Sequence, residues 1–150
     1  MSHPFQNDLF NKPVFESRQR VEKLDLDRFR SRMKRGMSLA LTECDLERRE
    51  VAKIISAMPG AGTMSKAMLD AYTSEAKSND ISLVRFKAFI RATGAIQLWD
   101  EVVSDEGLIV LQGDEARLAE IARLQQEARK IGKVLRELRM VPVDIKRGAE

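Results

Sequence analysis

Hydrophobic residues recur at three- and four-residue spacing along most of the chain, the period of an amphipathic α-helix. This pattern predicts six helices, the first over residues 25–41 and the last over about residues 114–140. The apolar run at residues 108–111 fits a short strand, paired with a second subunit, or an extended core segment. The sequence therefore predicts an all-α fold.

Capping residues place the ends of these helices. Asp45, Ser82 and Asp114 are the predicted N-caps of the second, fourth and sixth helices, because their side chains accept hydrogen bonds from free backbone N–H groups. Pro59 ends the second helix. Gly94 ends the fourth helix, because glycine adopts the left-handed conformation of a C-cap.

Residues 45–77 have the outline of a helix-turn-helix. A Pro/Gly break at residues 59–63 separates two amphipathic patterns, and the second pattern opens at Thr63 or Ser65. Because the break is short, the helices must cross steeply, and this geometry lets the second helix enter the DNA major groove. Its outer face is expected to carry Asp70, which would oppose a phosphate, and five candidate DNA contacts: Ser65, Lys66, Thr73, Ser74 and Lys77.

Positive charge is concentrated in the first helix. The formal net charge is only +3, but residues 28–35 read RFRSRMKR, with five bases and no acid. A basic patch indicates a polyanionic partner such as double-stranded DNA. Arg28, Arg32 and Arg35 share one side of the helix and are the predicted phosphate contacts, whereas Arg30 and Lys34 share another side.

The sixth helix carries a heptad seam about three heptads long. This seam predicts a homodimer, and the alternative is a long helix that packs back on its own domain. Ala128 and Gly132 reduce the apolar surface in the middle of the seam. The predicted dimerisation residues are Ile121, Leu124, Ile131, Leu135 and Leu138.

The domain boundaries predicted from these patterns divide the chain into four parts. They are a flexible arm (1–20), a helix-turn-helix DNA-binding domain (21–113), a dimerisation helix (114–140) and a basic tail (141–150). The arm contains Phe5, Phe10 and Phe15, which either pack on the domain or dock on a protein partner. With one cysteine and no apolar run long enough to span a bilayer, the chain is expected to be cytoplasmic, with no membrane partner.

The sequence lacks the combinations of residues that catalytic sites need. His3, the single histidine, lies in the predicted arm, and Cys44 is flanked by carboxylates that oppose a thiolate. The glycine-rich turn before Lys66 lacks the Walker spacing. We therefore expect no enzymatic activity, no cofactor and no metal.

The segments LERREVAKIISAM and SKAMLDAYTSEAKSNDISLVRFKAFIRATGA, within residues 25–113, resemble the small helix-turn-helix regulators of temperate phages and prophages, including early-region proteins of Mu-like phages. The resemblance implies a recognition helix followed by a supporting helix, with Ser65, Lys66 and Thr73 as candidate DNA contacts. This sequence departs from the commoner repressor pattern in its longer, Pro/Gly-rich turn.

The predicted function is that of a sequence-specific, dimeric transcriptional regulator. The alternative is a non-enzymatic adaptor that binds protein partners through the N-terminal arm and the C-terminal helix. The two hypotheses differ in whether function needs the positive charge of the first helix. An adaptor tolerates charge reversal at Arg28, Arg32 and Arg35, whereas a DNA-binding protein does not.

Overall fold

The computed structural model describes residues 17–143, and this part of the chain is all-helical, as predicted. The chain divides into two compact units, one ending at Val110 and the other beginning at Leu111. The first unit contains α1–α5 and the second contains α6. Their bounds are α1 Leu26–Glu43, α2 Arg48–Ala57, α3 Lys66–Thr73, α4 Leu83–Thr93, α5 Gln97–Val103 and α6 Gly113–Met140.

One hydrophobic core holds the first unit together. Helix α2 packs on α3 and α4, and α1 packs on α3 and α5. Each of the five helices contributes at least one side chain that is almost completely removed from water, and removal of apolar surface from water is the main stabilising term in folding. These side chains are Met37, Val51, Ile55, Leu69, Phe89 and Leu98.

The predicted caps Ser82 and Gly94 are confirmed, and Ser65, one of the two predicted starts of α3, is its N-cap. The hydroxyls of Ser65 and Ser82 accept the backbone N–H of the third residue of α3 and α4, respectively. Gly94 ends α4 with a φ of 74°, in the left-handed region. The other two predicted N-caps are wrong, because each of these helices begins with a reciprocal capping box. Glu47 rather than Asp45 caps α2, and Gln112 rather than Asp114 caps α6.

Two predicted extents are also corrected. Helix α3 ends at Thr73, so Ser74 is its C-cap and Lys77 lies in the turn that follows, rather than on the helix face. Residues 108–111 form no strand in the described chain. The described residues contain one isolated β-bridge, which joins Arg20 to Glu106. Glu106 lies in the turn after α5, and its neighbour Gly107 has no side chain to clash with the backbone of Arg20.

The end of the predicted arm belongs to the first unit. Residues 17–20 are described, and Arg18 forms an ion pair with Asp100 at 2.7 Å and donates a hydrogen bond to the carbonyl of Leu108. Arg20 forms a second ion pair with Glu106 at 2.9 Å. Residues 1–16, with the three arm phenylalanines, and residues 144–150 of the basic tail lie outside the described residues.

Helix α6 spans 28 residues, and none of its side chains is buried. Its apolar side chains are exposed along its length, and acidic residues in the first turn and Arg139 in the last turn complement the helix dipole. Within residues 17–143, none of the helices combines the length and apolarity that crossing a bilayer requires.

Candidate nucleic-acid interface

The turn between α2 and α3 is held by polar contacts from both sides. The hydroxyl of Ser56 in α2 accepts the N–H of Met64 at 2.8 Å, just before the cap of α3. Gly60 and Gly62 both have positive φ, at 82° and 72°, so the Pro/Gly composition of the turn is a backbone requirement. These contacts fix the start of α3 relative to the end of α2.

Arg85 of α4 connects the same turn to α3. Its guanidinium donates to the hydroxyl of Tyr72 at 2.7 Å and to the carbonyls of Ala61 and Thr63 at 3.5 and 3.4 Å. One α4 side chain therefore contacts both the turn and the far end of α3. Helix α4 therefore holds the turn and α3 together.

The N-terminal end of α3 is exposed. Ser65, Lys66 and Ala67 are all at the surface, and the first N–H groups of a helix form its positive end. Lys66 shares a surface depression of about 360 Å³ with Arg48 and Arg49 at the start of α2. Two helix N-termini with basic side chains thus meet on one surface of the unit, and an anion is the ligand that this arrangement favours.

Two cations neighbour the carboxylate of Asp70, which was expected to oppose a phosphate. Lys66 Nζ lies 2.7 Å from one oxygen of Asp70, and Arg48 Nη1 lies 2.9 Å from the other. The hydrogen bond from Lys66, followed by the charges of Lys66 and Arg48, holds the pKa of the Asp70 carboxyl below its usual value. The carboxylate is therefore compensated at the surface where a phosphate would approach.

The nearby acidic residues Glu47 and Glu50 are also engaged locally. The carboxylate of Glu47 accepts an N–H of the first turn of α2, and that of Glu50 accepts the N–H of Glu47 at 2.9 Å. Both carboxylates are thus used to cap α2. Arg49, between them, remains exposed.

The placement of Thr73 on the outer face of α3 is wrong. Its side chain is only 7% exposed. The hydroxyl donates to the carbonyl of Leu69 at 3.0 Å and accepts a hydrogen bond from Arg48 Nη1 at 3.2 Å. Thr73 therefore contributes to the packing of α2 on α3 and does not face a DNA groove.

The basic run of α1 is largely neutralised inside the first unit. Arg30 forms ion pairs with Asp80 at 2.8 Å and with Asp27 at 2.6 Å. The hydrogen bond from Arg30 lowers the pKa of the Asp80 carboxyl. Arg35 forms an ion pair with Glu75 at 3.0 Å, but 67% of its side chain stays exposed. The contacts with Asp80 and Glu75 tie α1 to the segment between α3 and α4.

Arg32 has an internal partner rather than a free guanidinium. Its Nη2 lies 2.7 Å from Asp105 and its Nε lies 3.2 Å from Glu101, and only 28% of the side chain is exposed. The hydrogen bond from Arg32 lowers the pKa of the Asp105 carboxyl. The prediction that Arg32 stands free beside Arg28 and Arg35 is thus corrected, because the packing of α1 on α5 brings these two carboxylates to it.

Lys34 is buried, with 3% of its surface exposed. Its ammonium donates to the main-chain carbonyl of Ser74 at 3.2 Å and to that of Lys77. It therefore satisfies carbonyl groups at the C-terminal end of α3, where the helix dipole favours a cation. The signal for this role was the spacing of Lys34, Met37 and Leu41, which puts the lysine on the apolar side of α1.

The predicted site residues thus fall into three groups. Ser65 and Lys66 lie at the exposed start of α3, and Arg28 and Arg35 are exposed on α1. Arg32 and Thr73 have internal roles, while Ser74 and Lys77 follow α3 and offer carbonyls to Lys34. Sequence reasoning did not single out Arg49, which is exposed at the start of α2 and shares a surface depression with Lys66.

The predicted dimerisation residues are together on α6. They recur at heptad spacing and remain 44–68% exposed. Comparison of the chain with protein-family models, with curated protein sequences and with solved structures gives no match.

Proposed function

We propose that this chain is a sequence-specific DNA-binding regulator that acts as a homodimer, with the N-terminal end of α3 entering the major groove. The observation that carries the proposal is the exposed start of α3, with Ser65 and Lys66, beside Arg49 at the start of α2. In helix-turn-helix proteins the N-terminal residues of the second helix contact base edges, while the first helix crosses the phosphate backbone.

Different helices would supply the base contacts and the phosphate contacts. Ser65 and Lys66 are short or flexible donors at the start of α3 that suit base edges and adjacent phosphates. Lys66 is held by Asp70, which a phosphate can replace as the anionic partner, since Asp70 keeps its second cation, Arg48. Arg49 on α2 and the exposed Arg28 and Arg35 on α1 are the candidate backbone contacts.

A phage or prophage origin is part of the proposal. It is supported by the resemblance of residues 25–113 to regulators of temperate phages. It is also supported by the order of the helices, in which α4 follows the α2–α3 pair and holds it through Arg85. Cytoplasmic DNA is the partner that this surface would meet.

A second candidate, a protein-binding adaptor, is favoured by the exposed apolar seam of α6. An unpaired helix seam can serve a protein partner whether or not the first unit binds DNA. The two functions make opposite predictions for substitutions at the start of α3, which would weaken a DNA complex and leave an adaptor intact.

The test compares two double variants of equal charge change. We expect Arg49→Gln/Lys66→Gln to weaken binding to duplex DNA about tenfold or more, since two phosphate-contacting cations are lost. The matched control is Lys87→Gln/Arg91→Gln, at exposed positions of α4. Equal affinities of both variants and the unmodified chain, measured by fluorescence anisotropy, would reject the proposed surface.

A further inference from the structure

Exposed positive charge is concentrated in the C-terminal half of α6. Four of the five bases in residues 28–35 are engaged within the first unit, where Arg30, Arg32 and Arg35 form ion pairs and Lys34 is buried. Residues 128–140 of α6 carry five bases and one acid, and all five basic side chains are exposed. Much of the exposed positive charge of the described residues therefore lies on α6 rather than on α1.

Within the described residues, only Lys133 of these five cations pairs with a carboxylate. Its Nζ lies 3.9 Å from Glu137, and the two side chains are 75% and 65% exposed, so that water screens the pair. Among the carboxylates of residues 17–143, none lies within ion-pair distance of Arg129 or Arg136. The guanidinium of Arg136 donates to the carbonyl of Gly132 at 3.2 Å. These side chains therefore keep donors for an anion from outside the chain.

Three of the cations share one face of α6, which we call the basic face. Arg129, Lys133 and Arg136 recur at i, i+4 and i+7. At about 100° per residue they lie within about 60° of the helix circumference, and they span about 10 Å along the helix axis. The apolar seam lies on the opposite side of the helix. The basic face therefore stays accessible whether or not a partner helix covers the seam.

The helix dipole does not account for the basic face. The dipole favours bases in the last turn of a helix, and its effect fades within that turn. Arg139 fits this explanation. Arg129 and Lys133 lie about three and two turns before the end of α6 at Met140, where the dipole gives no advantage. Their charges point instead to an external polyanion.

The phosphate backbone of duplex DNA suits the basic face. Two of its three side chains are arginines, whose planar guanidinium binds phosphate through two parallel hydrogen bonds. An anionic membrane is the other extended polyanion that a helix can meet, but helices that lie in a membrane surface typically bury Trp or Phe beside Leu. Helix α6 contains no aromatic residue, and Ala128 and Gly132 reduce its apolar side. The observations therefore favour DNA.

We propose that the basic face of α6 binds the phosphate backbone of duplex DNA and adds contacts to those made at the start of α3. This inference rests on the proposed function and names a second contact surface for the same partner. Its contacts are independent of base sequence, because the phosphates are the same at every base pair. The basic face therefore raises affinity and its salt dependence, and leaves sequence preference to α3.

Two pairs of substitutions on the same helix test the proposal in the full chain. Arg129→Gln/Arg136→Gln should weaken binding to mixed-sequence duplex DNA about tenfold or more at about 50 mM salt, and should reduce the slope of log affinity against log salt by about 1.8. The matched control is Arg117→Gln/Arg123→Gln, in the acidic half of α6, where Arg123 pairs with Glu120 and Glu127. Equal losses in both variants would show an effect of net charge alone and would overturn the proposal.

Glutamine has a high helix propensity, so the variants should keep their helix content, which circular dichroism measures. Lys133→Gln/Arg136→Gln repeats the test if the first variant loses helix content, and the same losses are expected. Unchanged affinity and salt slope in a folded basic-face variant would overturn the proposal. A simultaneous loss of affinity in Arg49→Gln/Lys66→Gln would then show that the proposed function stands without the basic face.

Vesicles of phosphatidylserine and phosphatidylcholine provide the comparison with a membrane surface. We expect no more co-sedimentation of the unmodified chain with these vesicles than of Arg129→Gln/Arg136→Gln. Co-sedimentation that is lost in this variant, together with unchanged DNA binding, would assign the basic face to a membrane and overturn the proposal. Absence of DNA binding by the unmodified chain at about 50 mM salt would overturn both this inference and the proposed function.

Discussion

The ammonium group of Lys34 donates a hydrogen bond to the main-chain carbonyl of Ser74, 3.2 Å away, although 40 residues separate the two in sequence. The contact joins the middle of α1 to the C-terminal end of α3, the helix that we propose to enter the major groove. A residue from the most basic run of the chain is thus used to position the candidate recognition helix rather than to contact DNA.

Replacing Lys34 by methionine should lower the free energy of unfolding by about 1–3 kcal/mol, because the carbonyls of Ser74 and Lys77 lose their buried donor. Denaturant unfolding measures the change. Lys53→Met, at an exposed position of α2, is the matched control and should change stability by less than about 0.5 kcal/mol. Equal effects of the two substitutions would show that the Lys34 contact does not stabilise the fold.

Arg28 and Arg32 lie one turn apart on α1 and should behave in opposite ways. Arg32→Gln breaks the ion pair with Asp105 and should lower stability by about 1–2 kcal/mol, with little effect on DNA affinity. Arg28→Gln should leave stability within about 0.5 kcal/mol and weaken DNA binding severalfold. Unfolding curves and anisotropy titrations of both variants provide the measurements, and a loss of DNA affinity in folded Arg32→Gln would contradict the assignment.

The stability of the first unit should depend on pH in the acid range. Hydrogen bonds from Lys66, Arg30 and Arg32 respectively lower the pKa values of Asp70, Asp80 and Asp105 in the folded chain. Each contribution is fully present above the unfolded pKa of about 3.9 and is lost as the pH falls through the lower folded pKa.

These three groups should therefore have little effect on the midpoint of denaturant unfolding between pH 7 and about pH 5. Below about pH 4 their protonation should lower the midpoint. Asp105→Asn removes one of the three carboxylates and should make the decrease below about pH 4 smaller. An acid dependence of the same size in Asp105→Asn and the unmodified chain would show that the Arg32–Asp105 pair makes no pH-dependent contribution.

Gly107 should not tolerate a side chain. A Cβ at this position would lie 2.7 Å from the backbone nitrogen of Arg20, and the φ of 72° is already unfavourable for other residues. Gly107→Ala should lower stability by about 1–3 kcal/mol and release residues 17–21, as seen by faster hydrogen exchange at Val21. Gly113→Ala, with open space around its Cβ, is the control and should have no such effect on Val21.

The caps Ser82 and Gly94 were predicted correctly, Ser65 was one of two predicted starts of α3, and all three depend on local contacts. Ser65 and Ser82 bond to backbone groups three residues later, and Gly94 needs only its own left-handed conformation. Such contacts can be inferred from a short window of sequence. The capping boxes at Glu47 and Gln112 also depend on residues close in sequence. They were not predicted, because Ser, Thr and Asp are the commoner N-cap residues and Asp45 and Asp114 lie nearby.

The roles of Arg32 and Lys34 could not be predicted in the same way. Arg32 and Asp105 are 73 residues apart, so their pairing depends on how α1 packs on α5. A run of five bases looks the same in sequence whether its charges face solvent or internal carboxylates. Only its spacing from Met37 and Leu41 distinguishes Lys34 from the other bases of the run, because this spacing places it on the apolar side of α1.

The central claim is that the exposed start of α3 binds DNA through phosphate and base contacts. The most direct measurement is the fluorescence anisotropy of labelled mixed-sequence duplex DNA titrated with the full chain at about 50 and 200 mM salt. We expect binding at the lower salt that weakens by orders of magnitude at the higher salt, because each phosphate contact contributes about 0.9 to the slope of log affinity against log salt concentration. No binding at about 50 mM salt would contradict it.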